Sequence, residues 1–282
     1  MTQTADPDLI AQGRASWGTL EPLHVIGYFA PQVTQEYVDL GLHPRLSYFA
    51  ARSAALGAVD PAVTVATFYV FAPWLAHKAL PASWQIASPA RIQQARRTGV
   101  AKALDEALGE VDVSEALELA RIACDGLTRP GRPLYAAHSA LDWPEDDLLA
   151  LWHAATLLRE HRGDGHVAVL QYAQLDPVEA LVLDSDFSGN ADFLRATRGW
   201  TDEEWDAARQ RLTERGLLAG DRLSDTGREL RQAVEDETDA LAAEGWAHLG
   251  LEGGRRIQEL LAPLRAQLLG GGMLPDWIAR RG

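Results

Sequence analysis

From Glu21 to Arg162 almost nothing in the sequence reads as a strand. Apolar residues recur at three- and four-residue steps, breakers arrive as isolated prolines and glycines, and acidic residues stand at candidate helix starts. Such a chain must bury helix faces against other helices, so this part is expected to be almost wholly helical. The spacing predicts a helix over Glu21–Leu40, kinked or split at Pro31 and ended by Gly41. A shorter one covers Leu46–Arg52, with a turn near Gly57. Asp60 caps a third, running from Ala62 to Leu75, with Pro73 kinking its last turn. Pro89–Leu108 and Ser114–Leu127 follow, and Thr128–Pro133 is a loop by its own chemistry. Phe68, Tyr69, Phe71 and Trp74 form an aromatic patch, read first as packing and second as a pocket wall.

The densest chemistry lies in Arg159-Glu160-His161-Arg162-Gly163-Asp164-Gly165-His166. Pro144 suits a first helical position, Glu145, Asp146 and Asp147 favour the positive end, and Leu148–Arg162 runs without a breaker. Gly163 suits the left-handed stop. Asp164 would then cap a second helix from near Gly165, carrying Val167, Leu170 and Tyr172, with His166 in its first turn. On that geometry His161 and His166 converge on one corner from two helices. They and Asp164 are the candidate acid–base groups. Arg159, Arg162 and Arg52 suit a carboxylate or phosphate, with Glu160, Tyr28 and Tyr69 as hydrogen-bonding partners.

Glu21-Pro22-Leu23-His24 has the Glu-x-x-His spacing that puts both side chains on one helix face, a pattern used by carboxylate-bridged metal sites. With His161 and His166, His24 and Glu21 would make a ligand set suited to a transition metal such as zinc or iron, the cofactor itself being left open. Pro22 also suggests that Glu21 begins its helix, where a carboxylate is favourable for the dipole alone. His153 and His138 are weaker candidates for the same cavity. His43, His77 and His248 read as structural or exposed. The competing explanation for the whole cluster is a set of caps and satisfied core polar groups.

A chain of 282 residues, 47% hydrophobic and 23% charged, can bury one large core or two smaller ones. Its net charge of −14 works against nonspecific attraction to nucleic acid or anionic lipid. The single cysteine, Cys124, excludes an internal disulfide and reads as a small buried hydrophobe. Met1–Pro7 is polar and acidic rather than basic then apolar, and no apolar run approaches a membrane span, so no membrane association and a cytoplasmic location are expected.

After about Ser188 the character changes. Thr201-Asp202-Glu203-Glu204 signs a helix start, and the helix runs through Trp205, Ala208 and Leu212 to a stop at Gly216. Leu217–Ser224 reads as two very short strands about a Gly-Asp turn, and Asp225 or Thr226 opens a long helix through Leu241. The expected fold is therefore mainly α. A helical domain at 1–187 carries the polar site, and a winged-helix-like domain with a short two-stranded wing and C-terminal helices covers 188–282.

Arg-Leu-x-x-Arg-Gly-Leu-Leu at Arg211–Leu218, followed by Leu-Ser-Asp-Thr-Gly-Arg at Leu223–Arg228, resembles the recognition-helix and wing segment of MarR-type winged-helix regulators. Glu-Pro-Leu-His at Glu21, Tyr48-Phe49-Ala50, Phe68-Tyr69, the Arg159–His166 run and Thr238-Asp239 together look like an actinobacterial family labelled as helix-turn-helix proteins. That resemblance implies a fold more than a function. An Asn is usual in that family where Val70 stands here.

DNA is a conceivable partner, with Arg209, Arg211, Arg215, Arg222 and Arg228 as phosphate contacts. It is disfavoured by Asp202, Glu203, Glu204 and Asp206 at the end of the helix that would enter the groove. Three functions stay open. The first is a small-molecule-binding protein, or a metal-dependent enzyme, which requires a polar cavity under Arg159–His166. The second is a ligand-responsive winged-helix regulator, which requires a homodimer with a basic face. The third is a structural or partner-binding protein, in which the cluster is a closed hydrogen-bond network.

Overall fold

Seven helices begin on a proline, at Pro7, Pro31, Pro61, Pro73, Pro89, Pro133 and Pro177. A missing N–H costs nothing in the first turn, and the ring already holds a helical φ. The computed structural model describes residues 6–275 and 277–278. Of the polar N-terminal stretch, Met1–Ala5 lies outside the described residues, as do residue 276 and residues 279–282 at the other end.

The order is α1 (Pro7–Phe29), α2 (Pro31–Asp39), α3 (Ser47–Ser53), α4 (Pro61–Phe68), α5 (Pro73–Ile86), α6 (Pro89–Leu108), α7 (Ser114–Asp125), α8 (Pro133–Ser139), α9 (Asp147–Tyr172), α10 (Pro177–Ser188), α11 (Ala191–Arg198) and α12 (Asp202–Glu214). Strands β1 (Leu218–Ala219) and β2 (Arg222–Leu223) then pair antiparallel, Leu218 opposite Leu223. The last element, α13 (Asp225–Gly270), is interrupted at Gly250, whose φ of 81° is outside the helical range. The protein is thus mainly helical with one small sheet near its C-terminal end. No described helix is long and apolar enough to cross a membrane.

Several boundaries differ from the sequence expectation. Pro31 does split the Glu21–Leu40 segment, but the first helix begins at Pro7, so Glu21 and Pro22 lie inside α1 and Glu21 is no helix start. The expected Ala62–Leu75 helix is two helices. Tyr69, at φ 51°, ends α4, and Pro73 opens α5 instead of kinking its predecessor. Pro144 precedes α9, which is capped by Asp146 through the Leu149 N–H.

The largest correction concerns Gly163. It does not stop a helix, and Asp164 caps nothing: α9 runs unbroken for 26 residues through Gly163-Asp164-Gly165. The glycines serve close approach instead. A Cβ on Gly165 would stand 1.9 Å from Arg132 Nη1, and one on Gly163 would stand 3.0 Å from Arg159 Nη1. Packing against arginines outweighs the roughly 1 kcal/mol preference of each position for alanine in a helix.

Buried apolar residues fall into two clusters. One takes α1 to α8, α9 as far as Leu158, and α13 from Trp246 onward. The other runs from Val169 and Leu170 at the end of α9, through α10 to α12 and both strands, to Val234 in α13. Two long helices therefore pass through both cores. Between Leu158 and Val169 on α9, and between Val234 and Trp246 on α13, the buried side chains include Glu160, His161, Asp164, Glu235, Thr238 and Asp239. The polar run sits at a waist between two hydrophobic cores.

Candidate functional site

Glu160 is fully buried and is the hub of the polar interior. Arg52, delivered by α3, grips it side-on, Nε donating to Oε1 at 2.9 Å and Nη2 to Oε2 at 2.6 Å. Tyr28 Oη donates to Oε1 at 3.2 Å, and Arg159 Nη1 donates to Oε2 at 3.3 Å. Burial alone would raise the Glu160 carboxyl, but Arg52 and then Arg159 reverse this and hold it well below the usual carboxylate range. Arg159 also feels the field of Glu21, which α1 buries nearby. Phe68 stacks under the Arg52 guanidinium at 4.5 Å.

From Tyr28 the network continues inward. His24 Nε2 lies 3.0 Å from Tyr28 Oη, its Nδ1 lies 3.1 Å from Thr156 Oγ1, and Thr156 donates to the Trp152 carbonyl. Burial first, and Arg159 second, push His24 well below its ordinary pKa, so its ring is neutral. Tyr28, neutral His24 and Thr156 then offer one proton each to four contacts, and one contact is left unmade. The neighbouring helix α6 brings in Arg96, only 1% exposed, with Nη1 3.4 Å from His138 Nε2. His138 Nδ1 is 2.8 Å from the Leu134 carbonyl, so Nδ1 carries the proton and Nε2 accepts from Arg96.

Further along α9 the partners change. His161 Nε2 pairs with Glu244, and its ring meets Tyr135 edge-on at 5.1 Å. Asp164 accepts the Tyr135 N–H at 2.9 Å, and burial pushes its carboxyl up to about 6. Arg162 reaches Asp239 at 2.8 Å and Glu235 at 3.1 Å on α13, where Arg14 from α1 joins the same two carboxylates. Arg231 bridges Glu235 to Asp184 of α10. His166 Nδ1 lies 2.9 Å from Thr238 Oγ1, and burial lowers its pKa to about 4. These bonds tie α1, α9, α10 and α13 together at the waist.

The segment from α11 through the hairpin has the opposite character. On α12, Trp205, Ala208 and Leu212 point into the second core. The capping box between Thr201 and Glu204 fixes its start. Its exposed side carries Glu203, Asp206, Ala207, Gln210, Thr213 and Glu214. Arg211 and Arg215 are exposed as well but are engaged by carboxylates. Arg211 and Arg215 pair with Glu179 of α10, each at 3.1 Å, and Arg209 pairs with Asp221 in the strand turn at 3.1 Å.

The structure thus gathers Glu21, His24, Tyr28, Arg52, Arg159 and Glu160 in one buried group, and places Arg162, His161, Asp164 and His166 at the waist. The two-helix corner does not exist: His161 and His166 are five residues apart on one helix, roughly 140° around its axis. Tyr69 joins neither group, since its hydroxyl donates to the Leu175 carbonyl at 2.6 Å. Among the described residues no three His, Cys, Asp or Glu side chains stand as a metal-holding group. His24, His161 and His166 do not converge, each being engaged by a different residue: Thr156, Glu244 and Thr238.

Sequence reasoning missed Arg96, Arg132, Arg231 and Glu235. Arg96 was legible, because it falls on the buried stripe of α6 with Ile92, Gly99, Val100 and Ala103. Arg231 and Glu235 form a four-residue charge step on α13 that is also visible in the sequence. Arg132 carried no signal, since its loop position says nothing of the His161 carbonyl it reaches at 2.7 Å.

No curated protein and no solved structure matches the chain. A family model does, over residues 13–275, and by that match across nearly its whole length the chain belongs to a helix-turn-helix family.

Proposed function

We propose that this chain is a regulatory protein of the winged-helix kind that works by protein contact at the exposed face of α12, with the helical body as its rigid support. The order α11, turn, α12, two-stranded hairpin and α13 agrees with that unit, as does the resemblance of Arg211–Arg228 to MarR-type regulators. One observation carries the protein-contact reading. The face of α12 that would meet a DNA groove presents Glu203, Asp206 and Glu214, while Arg209 is engaged by Asp221 of the hairpin and Arg211 and Arg215 by Glu179 of α10. Such a surface repels a phosphate backbone and fits a basic patch on a partner. The group around Glu160 supports a structural role for the interior, because its hydrogen-bonding atoms largely satisfy one another.

Family membership favours a second reading, a regulator that binds DNA. Fluorescence anisotropy with random-sequence duplexes at low salt separates the two. The natural chain is expected not to bind, and Glu203→Lys/Asp206→Lys/Glu214→Lys is expected to gain salt-sensitive binding. Photo-crosslinking from position 207 in cells is expected to give a protein adduct that this triple variant loses. Sequence-selective binding by the natural chain that Gln210→Ala abolishes would overturn the protein-contact reading.

A further inference from the structure

The Glu160 group is closed on itself, but the guanidinium beside it is not. Arg96 Nε and Nη2 are both buried without a hydrogen-bond partner, and Nη1 has only the long contact to His138. Nε and Nη2 lie on one edge of the guanidinium and project two parallel N–H donors. Arg52 uses the same edge to hold both oxygens of Glu160. A buried guanidinium with an empty fork is costly, because its desolvation is offset only by a counter-charge of matching geometry.

None of the nearby carboxylates supplies it. Glu160 is taken by Arg52, Tyr28 and Arg159, Glu21 lies in the field of Arg159, and Asp164 accepts from Tyr135. The rings of Tyr28 and Trp152 lie 5.4 and 5.0 Å from Arg96 Cζ and take up its flat faces. A ligand can therefore meet only its edge. On that side α1 approaches with Gly27, where an added Cβ would lie 3.5 Å from Arg96 Nε and 3.3 Å from Trp152 Cζ2. Two further buried polar atoms near this cation also lack partners, Tyr37 Oη and His153 Nε2. Arg96 acts electrostatically on both residues.

We propose that the unpaired edge of Arg96 is the binding site of one small planar oxyanion, a short carboxylate or bicarbonate, held side-on as Arg52 holds Glu160. Two parallel charged donors match two oxygens of one anion, whereas a water molecule satisfies them without neutralising the charge. A halide fits the charge but not the fork. The site lies in the helical body and is independent of whether α12 meets protein or DNA.

The test is thermal unfolding of the full chain at constant ionic strength, with formate, acetate, bicarbonate, nitrate or chloride replacing a bulky sulfonate. The expected result is a midpoint that rises and follows single-site linkage with formate, acetate or bicarbonate, and rises less with chloride. At ten times the dissociation constant the folding equilibrium shifts about elevenfold. Arg96→Gln should abolish the response, and Arg96→Lys, with no fork, should weaken it. Should Arg96→Gln fail to fold, Gly27→Ala decides, since its methyl takes up space beside Nε, in ordinary contact at 3.5 Å, while leaving the charge, and it too should lose the response. An equal response to every anion, a response surviving in Gly27→Ala and Arg96→Gln, or no response by the natural chain, as for a site holding water alone, would overturn the proposal.

Discussion

Arginine does opposite work in the two cores of this molecule. In the helical body Arg52, Arg96 and Arg159 point inward, where Arg52 and Glu160 are removed from water and paired side-on. In the segment from α10 to the hairpin Arg209 meets Asp221 in open solvent, while Arg211 and Arg215 reach from a half-exposed surface to the buried Glu179. A pair without water has no alternative partner, so the body depends on each member. A pair in water has many alternatives, so Arg209 and Asp221 decide the charge of a face more than the stability of a fold. Position in the fold separates structural charge from surface charge here.

Acid should break this contrast most strongly. All eight histidines lie outside residues 167–247, so α10 to α12 and the hairpin have none. His24, His138, His153, His161 and His166 are buried, or nearly so, and held neutral. Burial lowers His138 and His161 to about 4 and His153 to about 3. Their folded pKa values lie below the unfolded value near 6.5, so the unfolded chain binds more protons between the two. The stability they contribute is complete above about pH 6.5 and is lost as pH falls toward 4. Asp164, raised to about 6, runs the other way and favours the folded state as pH falls, but it is one group against five. Loss should reach roughly 2 kcal/mol per histidine at pH 5 as an upper bound. Hydrogen exchange at pH 7 and pH 5, corrected for intrinsic rates, should show the body losing protection before α10 to α12. Equal loss in both cores would erase the distinction.

Removing the charge of Glu160 is the next largest effect. Glu160→Gln leaves the buried Arg52 and the partly exposed Arg159 without their shared carboxylate, and should destabilise by about 3–5 kcal/mol in urea denaturation. The double change Arg52→Met/Glu160→Met sharpens the point. It should be less damaging than Glu160→Gln, because no buried charge of that pair remains uncompensated. If the double variant were the worse of the two, packing rather than pairing would be holding this region.

The sequence made much of this legible. Helical spacing, proline at first turns and the Thr201–Glu204 box gave α6, α7 and α12 and the short hairpin closely. The failure at Gly163 has a physical cause. A glycine after a run of helical residues is ordinarily a stop, and only the arriving guanidiniums of Arg132 and Arg159 explain glycines inside α9. That error moved His166 onto a second helix and created a corner where none exists. The pairing of Arg52 with Glu160 joins α3 to α9, and no local pattern announces a contact across that distance. Arg96 was the opposite case, an arginine on an apolar stripe, which is anomalous from spacing alone.

The smallest expected effect tests the other side of the contrast. Arg209 answers Asp221, a side chain in open solvent, and its second contact is a long one to the Gly220 carbonyl at 3.4 Å. Water replaces both partners without loss, so Arg209→Ala should leave the urea midpoint where it was. What should change is the surface. With Arg209 gone, Asp221 joins Asp206 and Glu203 as uncompensated charge, and attraction of the segment to a cationic peptide should increase while its salt dependence steepens. A fall in the unfolding midpoint instead would mean that the hairpin is held by this pair. The turn would then belong with the interior arginines, and the division between the two regions would have to be drawn elsewhere.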